Sequence, residues 1–374
     1  MTTPLHEDWQ VLVRLFPSDW AVLARNTGAV ERMRGFHSID DMLRTLLLHV
    51  GCGWSLRETA VHARLAGIAE VSDVTLFNRL RQSEPWLRSL CEQLWRENGV
   101  NLEPVLAGRP ARVVDATTVK EPGKTGSQWR IHYSLRLPTL ECDHFEVTPA
   151  RGKDTGEKLG RFVWHAGELI LADAGYCHPP GIASVVAQGA DICVRLNPAA
   201  MPMWEGERSF ELLGRRKALQ RAGEIAEWPV QVLWRGRRIA GRVCSIRKSE
   251  AAIERAQRQI TLKQARQKVS GTPEMREYAC YVMVFTTLPP AHASSAQVLE
   301  CYRLRWQIEL TFKRLKSIVQ LGHVAKQDDQ SSRAWLYGKL LVALLTQKLE
   351  RVGSAISPWG YYLPEQTSNP QPVA

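Results

Sequence analysis

Two short apolar segments that each carry an aspartate constrain the fold of this chain more than any other feature. The first, Ala111 to Val119, is rich in β-branched residues and contains Asp115, and the second, Glu168 to Asp173, ends at Asp173. Asp is disfavoured in strands, because an ionised carboxylate inside a sheet is costly without a partner. If the two strands are neighbours, their carboxylates face each other, and a cation would stabilise that arrangement. Each aspartate taken alone is better explained as the cap of a turn, and only the two together, in this strand order, favour a cation site.

The residue pattern around these segments predicts an α/β domain whose elements follow a defined order. Period-two alternation over Trp129 to Leu137 is typical of a half-buried strand, and Phe145 with Val147 indicates a third strand beside it. The other predicted elements are a helix near Glu157 to Val163, the strand ending at Asp173, a helix from Pro179 to about Gln188 and a strand from Asp191 to Leu196. This order is that of an RNase H-like catalytic domain, whose first part we place at residues 108–197.

Residues 1–107 are predicted to form a helical N-terminal domain. Ser55, with Glu58 three residues later, forms a capping box for one helix, whose buried face is predicted to include Val61 and Leu65. Another helix is predicted from about Ser72 to Arg81. Two helices joined by a short turn have the outline of a helix-turn-helix that binds DNA. A plain three-helix core explains the same apolar spacing, so both interpretations stay open.

Residues 198–289 interrupt the α/β pattern and are predicted to form a β-rich insertion. Strands are predicted at Pro229 to Trp234, Arg238 to Ile246 and Tyr278 to Thr287, with a basic helix at about residues 249–268. Residues 290–352 are predicted to return to the catalytic domain as its second part. The Gly-, Pro- and Ser-containing residues 353–374 are expected to be a flexible tail.

The charge of the chain predicts a polyanionic partner. Its 374 residues have a formal net charge of +11 and a pI of about 9.4. Eleven lysines and arginines but only two acids lie within residues 235–268, which favours nucleic acid, although a solvated basic face is also common. The eight cysteines form no C-x-x-C motif, and we find neither a signal peptide nor an apolar run long enough for a bilayer. A cytoplasmic protein with no membrane partner is therefore expected.

The sharpest chemical signal lies in a helix predicted over about Ser294 to Val319. At about 100° per residue, Tyr302, Arg305, Glu309 and Lys316 fall within an arc of roughly 60° on one such helix. An apolar stripe beside this arc would pack the helix on the domain. The alternative is an exposed helix face whose Arg305–Glu309 pair contributes only about 0.2–0.5 kcal/mol.

These residues resemble a known family, the insertion-sequence-4 family of bacterial DDE transposases. Its helix signature, Y-x-x-R-x-x-x-E-x-x-x-x-x-x-K, is matched by Tyr302, Arg305, Glu309 and Lys316. The segments Val114 to Thr118 and Leu171 to Tyr176 are also similar to the surroundings of the family's two aspartates, and the resemblance covers roughly residues 108–350. The four-residue motif is fairly specific, and its combination with both aspartate motifs in order is a strong indication.

The resemblance implies the catalytic residues and the cofactor. Asp115, Asp173 and Glu309 would bind two divalent cations, Mg²⁺ or Mn²⁺, which prefer oxygen ligands and can stabilise both oxygens of an in-line displacement at phosphorus. The enzyme would cut DNA at the terminal inverted repeats of its insertion sequence and transfer the freed ends to target DNA by a cut-and-paste route. It would act as a homodimer in the DNA complex.

The resemblance also implies residues that bind DNA. Tyr302, Arg305 and Lys316 would hold the transposon end through its phosphates. Where the second strand is cut through a hairpin, a terminal base would flip onto an aromatic residue of the insertion, for which Tyr281 is our candidate. The rival aromatics are Trp204, Trp228 and Trp234.

Two other functions fit the same residues. An RNase H-like nuclease would cut DNA without joining it, and a former transposase would bind DNA without cutting it. The intact set of three acids argues against the second of these.

Overall fold

The described part of the chain divides into two structural units. The computed structural model describes residues 4–97, 104–121, 123, 128–215, 219–267, 272–326 and 328–356. One unit contains residues up to 94 together with those from 328 onward, and the other lies within residues 95–327. Within the described ranges, no helix combines the length and the apolar character needed to span a membrane.

The first unit is helical, and its helix starts follow the predicted caps. The side chain of Ser55 accepts a hydrogen bond from the backbone of Glu58, whose carboxylate bonds back to Ser55, so the capping box is confirmed. Ser72 caps the next helix as predicted. The helices of this unit are α1 (Pro4–Val13), α2 (Trp20–Asn26), α3 (Ile39–Cys52), α4 (Leu56–Leu65), α5 (Asp73–Gln82), α6 (Glu84–Glu97) and, from the far end of the chain, α13 (Asp329–Ile356).

The buried face predicted for α4 is wrong. Val61 is exposed, and Leu65 is 79% exposed. The buried residues of α4 are instead Thr59, Ala60 and Ala63. The helix packs on α3 and α5 through these small side chains, which allow helices to approach closely, and its larger apolar residues point away.

Helix α13 belongs to the helical unit, whereas the sequence pattern placed it in the second part of the catalytic domain. It packs on α3 and α5. Gly338 lies so close to α3 that an added Cβ would stand 3.1 Å from Val50. Leu340 and Leu341 of α13 are fully buried, and their burial stabilises the helix within this unit.

The second unit is built on one mixed sheet of ten strands. Strand β1 pairs antiparallel with β2 and parallel with β4, and the order along the sheet is β3-β2-β1-β4-β5-β10-β9-β8-β6-β7. The strands are β1 (Ala111–Val119), β2 (Trp129–Leu137), β3 (Cys142–Pro149), β4 (Leu169–Ala172), β5 (Asp191–Arg195), β6 (Met203–Glu205), β7 (Arg208–Ser209), β8 (Ile225–Trp234), β9 (Arg237–Arg247) and β10 (Tyr281–Thr286).

The helices of this unit lie between and after these strands. They are α7 (Pro179–Ala187), α8 (Leu212–Arg215), α9 (Glu250–Gln267), α10 (Pro273–Tyr278), α11 (Ser295–Arg303) and α12 (Trp306–Ser317). The helix predicted near residues 157–163 is wrong, because only a single 3₁₀ turn forms, at Leu159–Arg161. Gly160 lies within that turn and Gly156 shortly before it, and glycine disfavours a longer helix.

The inserted strands extend the sheet that contains β1 to β5 instead of forming a separate one. Strand β9 pairs with both β8 and β10, and β10 in turn pairs with β5. The last predicted strand begins at Tyr281 and not at Tyr278, because Thr272 caps α10 and Pro273 occupies its first turn. With α9 and α10 between its strands, the insertion is a mixture of α and β structure.

Helix α12 packs on the sheet beside β1 and β2. The Phe312 ring meets the Tyr133 ring edge-on, with centroids 5.8 Å apart, and Ile308 is fully buried. Because Tyr133 is the β2 partner of Asp115, this contact brings α12 to the level of Asp115 on the sheet.

Candidate active site

Asp115 and Asp173 occupy the same level on two neighbouring strands. The parallel ladder between β1 and β4 pairs Val114 with Ala172. Asp115 follows Val114 within β1, and Asp173 follows Ala172 directly after the end of β4. Neighbouring strands are about 4.8 Å apart, so the two residues are direct neighbours. The expectation that these strands lie side by side is confirmed.

The surroundings of Asp115 disfavour its ionised form. Burial raises the pKa of Asp115 to about 7, and the negative charges of Asp173 and Glu157 add to this effect. The Ala116 backbone N–H, which donates to the Asp115 carboxylate at 2.7 Å, and the Arg305 guanidinium act in the opposite direction. A further positive charge at this point would stabilise the carboxylate.

The helix predicted over residues 294–319 is broken beside the site. Helix α11 ends at Arg303 and α12 begins at Trp306, with Leu304 and Arg305 between them. Here the backbone N–H groups of Leu304 and Arg305 donate to the third residue back, so the turn is tightened. The helix predicted as one element is therefore divided by a tightened turn. Tyr302, Arg305 and Glu309 remain neighbours, because Arg305 lies over the Tyr302 ring and bonds to Glu309.

Arg305 lies between the acid of β1 and the acid of α12. Its Nη2 donates to Glu309 Oε1 at 2.5 Å, and its Nη1 is 3.7 Å from Asp115 Oδ2. The Arg305 side chain is only 13% exposed. The structure thus brings three of the predicted residues together through one guanidinium group, which neutralises part of the acidic charge.

Glu309 and Lys316 line an open groove along α12. The groove has a volume of about 510 Å³ and is lined by Glu309, Phe312, Lys313, Lys316 and Ser317. The Glu309 side chain is 58% exposed, and both lysines are exposed. Two cations beside an acid on an accessible surface can bind an anionic backbone such as that of DNA.

Tyr302 occupies a buried position instead of an exposed face. Its hydroxyl donates to the backbone carbonyl of Ala172 at 3.3 Å, immediately before Asp173. Burial raises the pKa of Tyr302 well above its ordinary value. In this structure Tyr302 therefore anchors α11 to the end of β4, and its contact with a DNA phosphate stays a prediction.

Tyr281 opens β10 and is 7% exposed within the apolar cluster of the sheet. The structure places it opposite Arg247 on β9. The rival aromatics Trp204, Trp228 and Trp234 are half-buried. A base-stacking role for any of them stays a prediction.

Three residues near the aspartates were given no role from the sequence, although two of them lie in the quoted segment Leu171 to Tyr176. The Glu157 carboxylate lies against Gly175, where an added Cβ would be only 1.9 Å from Glu157 Oε2. The Tyr176 side chain is fully buried in the same turn. The positions of Gly175 and Tyr176 directly after Asp173 were a signal for these two, whereas Glu157 had none, since its segment was interpreted as a helix.

The acids provide the donors that a hard divalent cation prefers, although they are not gathered around one point. Among the described residues, no three Asp, Glu, His or Cys side chains are close enough to hold a metal ion. Asp115 and Asp173 supply oxygen ligands on adjacent strands, and Asp115 is destabilised by neighbouring negative charge. The donor chemistry fits Mg²⁺ or Mn²⁺, while Glu309 is held by Arg305.

Comparison with known proteins gives a consistent result. The family model described as "Transposase DDE domain" matches residues 106–345. The putative transposase InsL for insertion sequence element IS186A of Escherichia coli strain K12 is 32% identical over 352 residues, covering 91% of this chain and 93% of that protein. The transposase for insertion sequence element IS421 of Escherichia coli is 32% identical over 353 residues, with the same coverage.

A solved structure is also similar to this chain. It is the piggyBac transposase synaptic complex with hairpin DNA, determined by cryo-electron microscopy, with a TM-score of 0.43 and 10% sequence identity. The match covers 97% of this chain and 87% of that one.

Proposed function

The chain belongs to the family of transposase DDE domains, and from this premise we propose that it cuts the terminal inverted repeats of an insertion sequence and joins them to target DNA by a cut-and-paste route. We assign an RNase H-like fold to its catalytic core. The strand order β3-β2-β1-β4-β5, with β1 and β4 parallel, supports this assignment.

The observation that carries the proposal is the pair of neighbouring aspartates, together with the one guanidinium group that contacts both Asp115 and Glu309. Asp115 and Asp173 stand side by side on β1 and β4, and Arg305 links Asp115 to Glu309 on α12. A structural role alone does not explain two adjacent carboxylates within a sheet, because their mutual repulsion and burial are costly. Phosphoryl transfer by a DDE enzyme would use these two aspartates and Glu309 as ligands of its cations.

Asp115, Asp173 and Glu309 would hold the divalent cations, two per site. When bound, these cations supply the positive charge that stabilises the attacking and leaving oxygens of an in-line displacement at phosphorus. The contribution of the protein is to fix the carboxylates on rigid strands and to exclude water around Asp115. Glu309 takes part once its carboxylate is released from Arg305.

Arg305 and Lys316 would bind phosphates of the transposon end. A guanidinium group that leaves Glu309 for a DNA phosphate exchanges one charge-assisted hydrogen bond for another. Substrate binding would in this way free a ligand for the cations. The exposed Lys316 lines the same groove as Glu309 and would contact the backbone farther along.

The helical unit would recognise the ends of the element. Helices α4 and α5 pack together in the helix-turn-helix order, and Asn78 on α5 is exposed. Arg79 is not available for DNA, because it is buried and donates to the Arg32 carbonyl. Two copies of the chain would hold the two ends as a homodimer.

Replacing Arg305 with methionine is expected to change metal affinity and DNA cleavage in opposite directions. Without DNA, Mn²⁺ should bind roughly tenfold more tightly, corresponding to about 1.4 kcal/mol, because no guanidinium group competes for Asp115 and Glu309. Cleavage should fall, because a phosphate contact is lost. Titration calorimetry and a nicking assay measure the two effects.

The matched control is Arg303→Met. Arg303 is exposed and pairs with Glu300 on α11. Its replacement should therefore change neither the Mn²⁺ affinity nor DNA cleavage. An Arg305→Met variant with unchanged Mn²⁺ affinity would show that the guanidinium group does not compete with the cation.

The proposed function is tested with the purified chain, Mg²⁺ and DNA carrying the terminal inverted repeats of its own element. We expect nicks at the repeat ends, followed by joined products when target DNA is added. Cutting without joining would instead identify a nuclease. Salt-sensitive binding with no cutting in any divalent cation would identify a DNA-binding protein.

A further inference from the structure

Three basic residues from three separate elements meet around Gly322. The backbone N–H of Lys120, directly after β1, donates to the Gly322 carbonyl at 3.4 Å, and the Lys120 carbonyl accepts from the Val324 N–H at 2.9 Å. His323, which stands between these two residues, is the parallel bridge partner of Lys120. A Cβ added at Gly322 would lie 3.7 Å from Cγ of Lys316 on α12. Lys120, Lys316 and His323 are therefore neighbours, and we call them the basic cluster.

The basic cluster is accessible and is not neutralised by acids. All three side chains are exposed, and none of them forms an ion pair within the described part of the chain. Residues 310–327 contain four lysines and arginines but no acid. The acid next to Lys120, Glu121, is buried and accepts a hydrogen bond from the Trp129 indole at 2.8 Å. Since like charges that are held together repel one another, an anionic partner would stabilise the cluster.

Helix α12 and strand β1 both lead from the acids of the candidate site to the basic cluster. On α12, Lys316 follows Glu309 by seven residues, which is about 10 Å at 1.5 Å per residue. On β1 and its continuation, Lys120 follows Asp115 by five residues, which is about 16 Å at 3.3 Å per residue. Because the open groove on α12 is lined by both Glu309 and Lys316, the cluster lies at the end of that groove away from Glu309.

These lengths fit the backbone of a DNA strand that extends from the acids along α12. One strand of a duplex has a phosphate about every 3.4 Å along the helix axis. A lysine about 10 Å from the acids would thus meet a phosphate about three nucleotides from the cleaved bond. A lysine about 16 Å away would meet one about five nucleotides from it.

We propose that Lys120 and His323 join Lys316 in binding neighbouring phosphates of the transposon end, about three to six nucleotides inside the repeat from the cleaved bond. The inference rests on the proposed function, in which Lys316 holds the transposon end, and it assigns two residues outside the family motif. Lys120 supplies a positive charge and His323 a hydrogen-bond donor. Contacts of this kind position the duplex and do not read its bases.

Binding of a duplex that carries the terminal inverted repeat of the element tests this assignment, measured by fluorescence anisotropy in the presence of EDTA. Lys120→Gln should weaken binding about threefold to tenfold and lower the slope of log K against log salt concentration by about 0.9. His323→Gln should weaken binding by about twofold to threefold.

A single methylphosphonate, which removes the charge of one phosphate, locates the contact. When it lies about three to six nucleotides inside the repeat, Lys120→Gln should cause no further loss of affinity, because the contact is already absent. At positions farther along the repeat, the two losses should add.

A second pair of variants tests the basic cluster without removing any of its members. Gly322→Asp places a carboxylate among the basic side chains and should weaken repeat binding about tenfold. Gly322→Ala is its matched control, because the added Cβ would be in ordinary contact with Lys316 at 3.7 Å. Lys158→Gln is the control for Lys120→Gln, since Lys158 is exposed and already pairs with Asp154. The melting temperature of each variant shows whether it is folded.

The outcomes separate this inference from the proposed function. Unchanged repeat binding in folded Lys120→Gln and Gly322→Asp, in a chain that cuts and joins DNA, would overturn the inference and leave the function standing. A coupled phosphate on the flanking side of the cut would also overturn it. Repeat binding that depends on Lys120, in a chain that cuts no DNA, would support the inference and overturn the function. A chain that binds no DNA would overturn both.

Discussion

Replacing Asp115 with asparagine is expected to lower DNA strand cleavage on the order of 1,000-fold or more, equivalent to about 4 kcal/mol of transition-state stabilisation. The amide keeps the shape of the side chain but removes the charge that would hold a divalent cation beside Asp173. The same loss is expected for Asp173→Asn and Glu309→Gln. A nicking assay with Mg²⁺ and the terminal repeats measures the effect.

The same substitution should raise the melting temperature of the chain without metal. Asp115 is half-buried beside other acids, and burial disfavours its ionised form, so a neutral amide removes an unfavourable charge. Loss of activity with a gain of stability is the signature of a residue selected for function. The increase in melting temperature caused by Mg²⁺ should disappear in the variant.

Asp191→Asn is the matched control, and its expected change in melting temperature has the opposite sign. The Asp191 carboxylate, at the start of β5, pairs with Arg109 at 3.0 Å and accepts from the Thr287 hydroxyl at 2.8 Å. Its replacement should lower the melting temperature and preserve cleavage. Cleavage that persists in Asp115→Asn would remove this group of acids as the catalytic site.

The central strands could be predicted because each is marked by a residue pattern within a short stretch of sequence. The apolar residues of β1 and the alternation of β2 lie within nine consecutive residues each, and the structure reproduces both ranges. The aspartates stood out because acids are unfavourable in such segments. Sequence order then indicated which strands are neighbours, and the β1–β4 ladder places Asp115 beside Asp173.

The break between α11 and α12 could not be predicted, because no glycine or proline marks it. Residues 301–307 have an ordinary helical composition, and the backbone tightens where Tyr302 bonds to the Ala172 carbonyl and Arg305 turns toward Asp115. These are tertiary contacts with residues more than 100 positions away. The motif identified residues that are neighbours in the structure, but it gave no sign of the tightened turn between them.

Glu157 was missed for a related reason. Its position beside the turn after Asp173 depends on where Arg130 and Arg161 hold its segment and on the absence of a side chain at Gly175. Neither periodicity nor capping signals report such contacts. The continuity of the sheet through the insertion was also hidden, because the pairing of β9 with β10 joins residues about 40 positions apart.

Replacing Gly241 with alanine is expected to destabilise the second unit by about 3 kcal/mol, a fall in melting temperature of roughly 6–12 °C. A Cβ at Gly241 would lie 2.4 Å from Phe285 Cζ and 2.8 Å from the Thr286 carbonyl oxygen. Phe285 is fully buried and cannot move aside, and the carbonyl belongs to the backbone of β10. The added methyl group must therefore push β9 away from β10. Thermal unfolding followed by circular dichroism measures the resulting loss of stability.

Because β10 pairs with β5 as well as with β9, the destabilisation should extend through β5 to β4 and β1, the strands next to the two aspartates. Metal-dependent cleavage should be lost at the same temperature as the β structure, in one transition, if the insertion and the core share one cooperative sheet. Gly214→Ala is the matched control, since Gly214 lies in α8 with no atom within 4 Å of an added Cβ. If Gly241→Ala melted only the insertion strands and left cleavage intact, the ten strands would not act as one folding unit, and the insertion would be an independent domain attached to the active site.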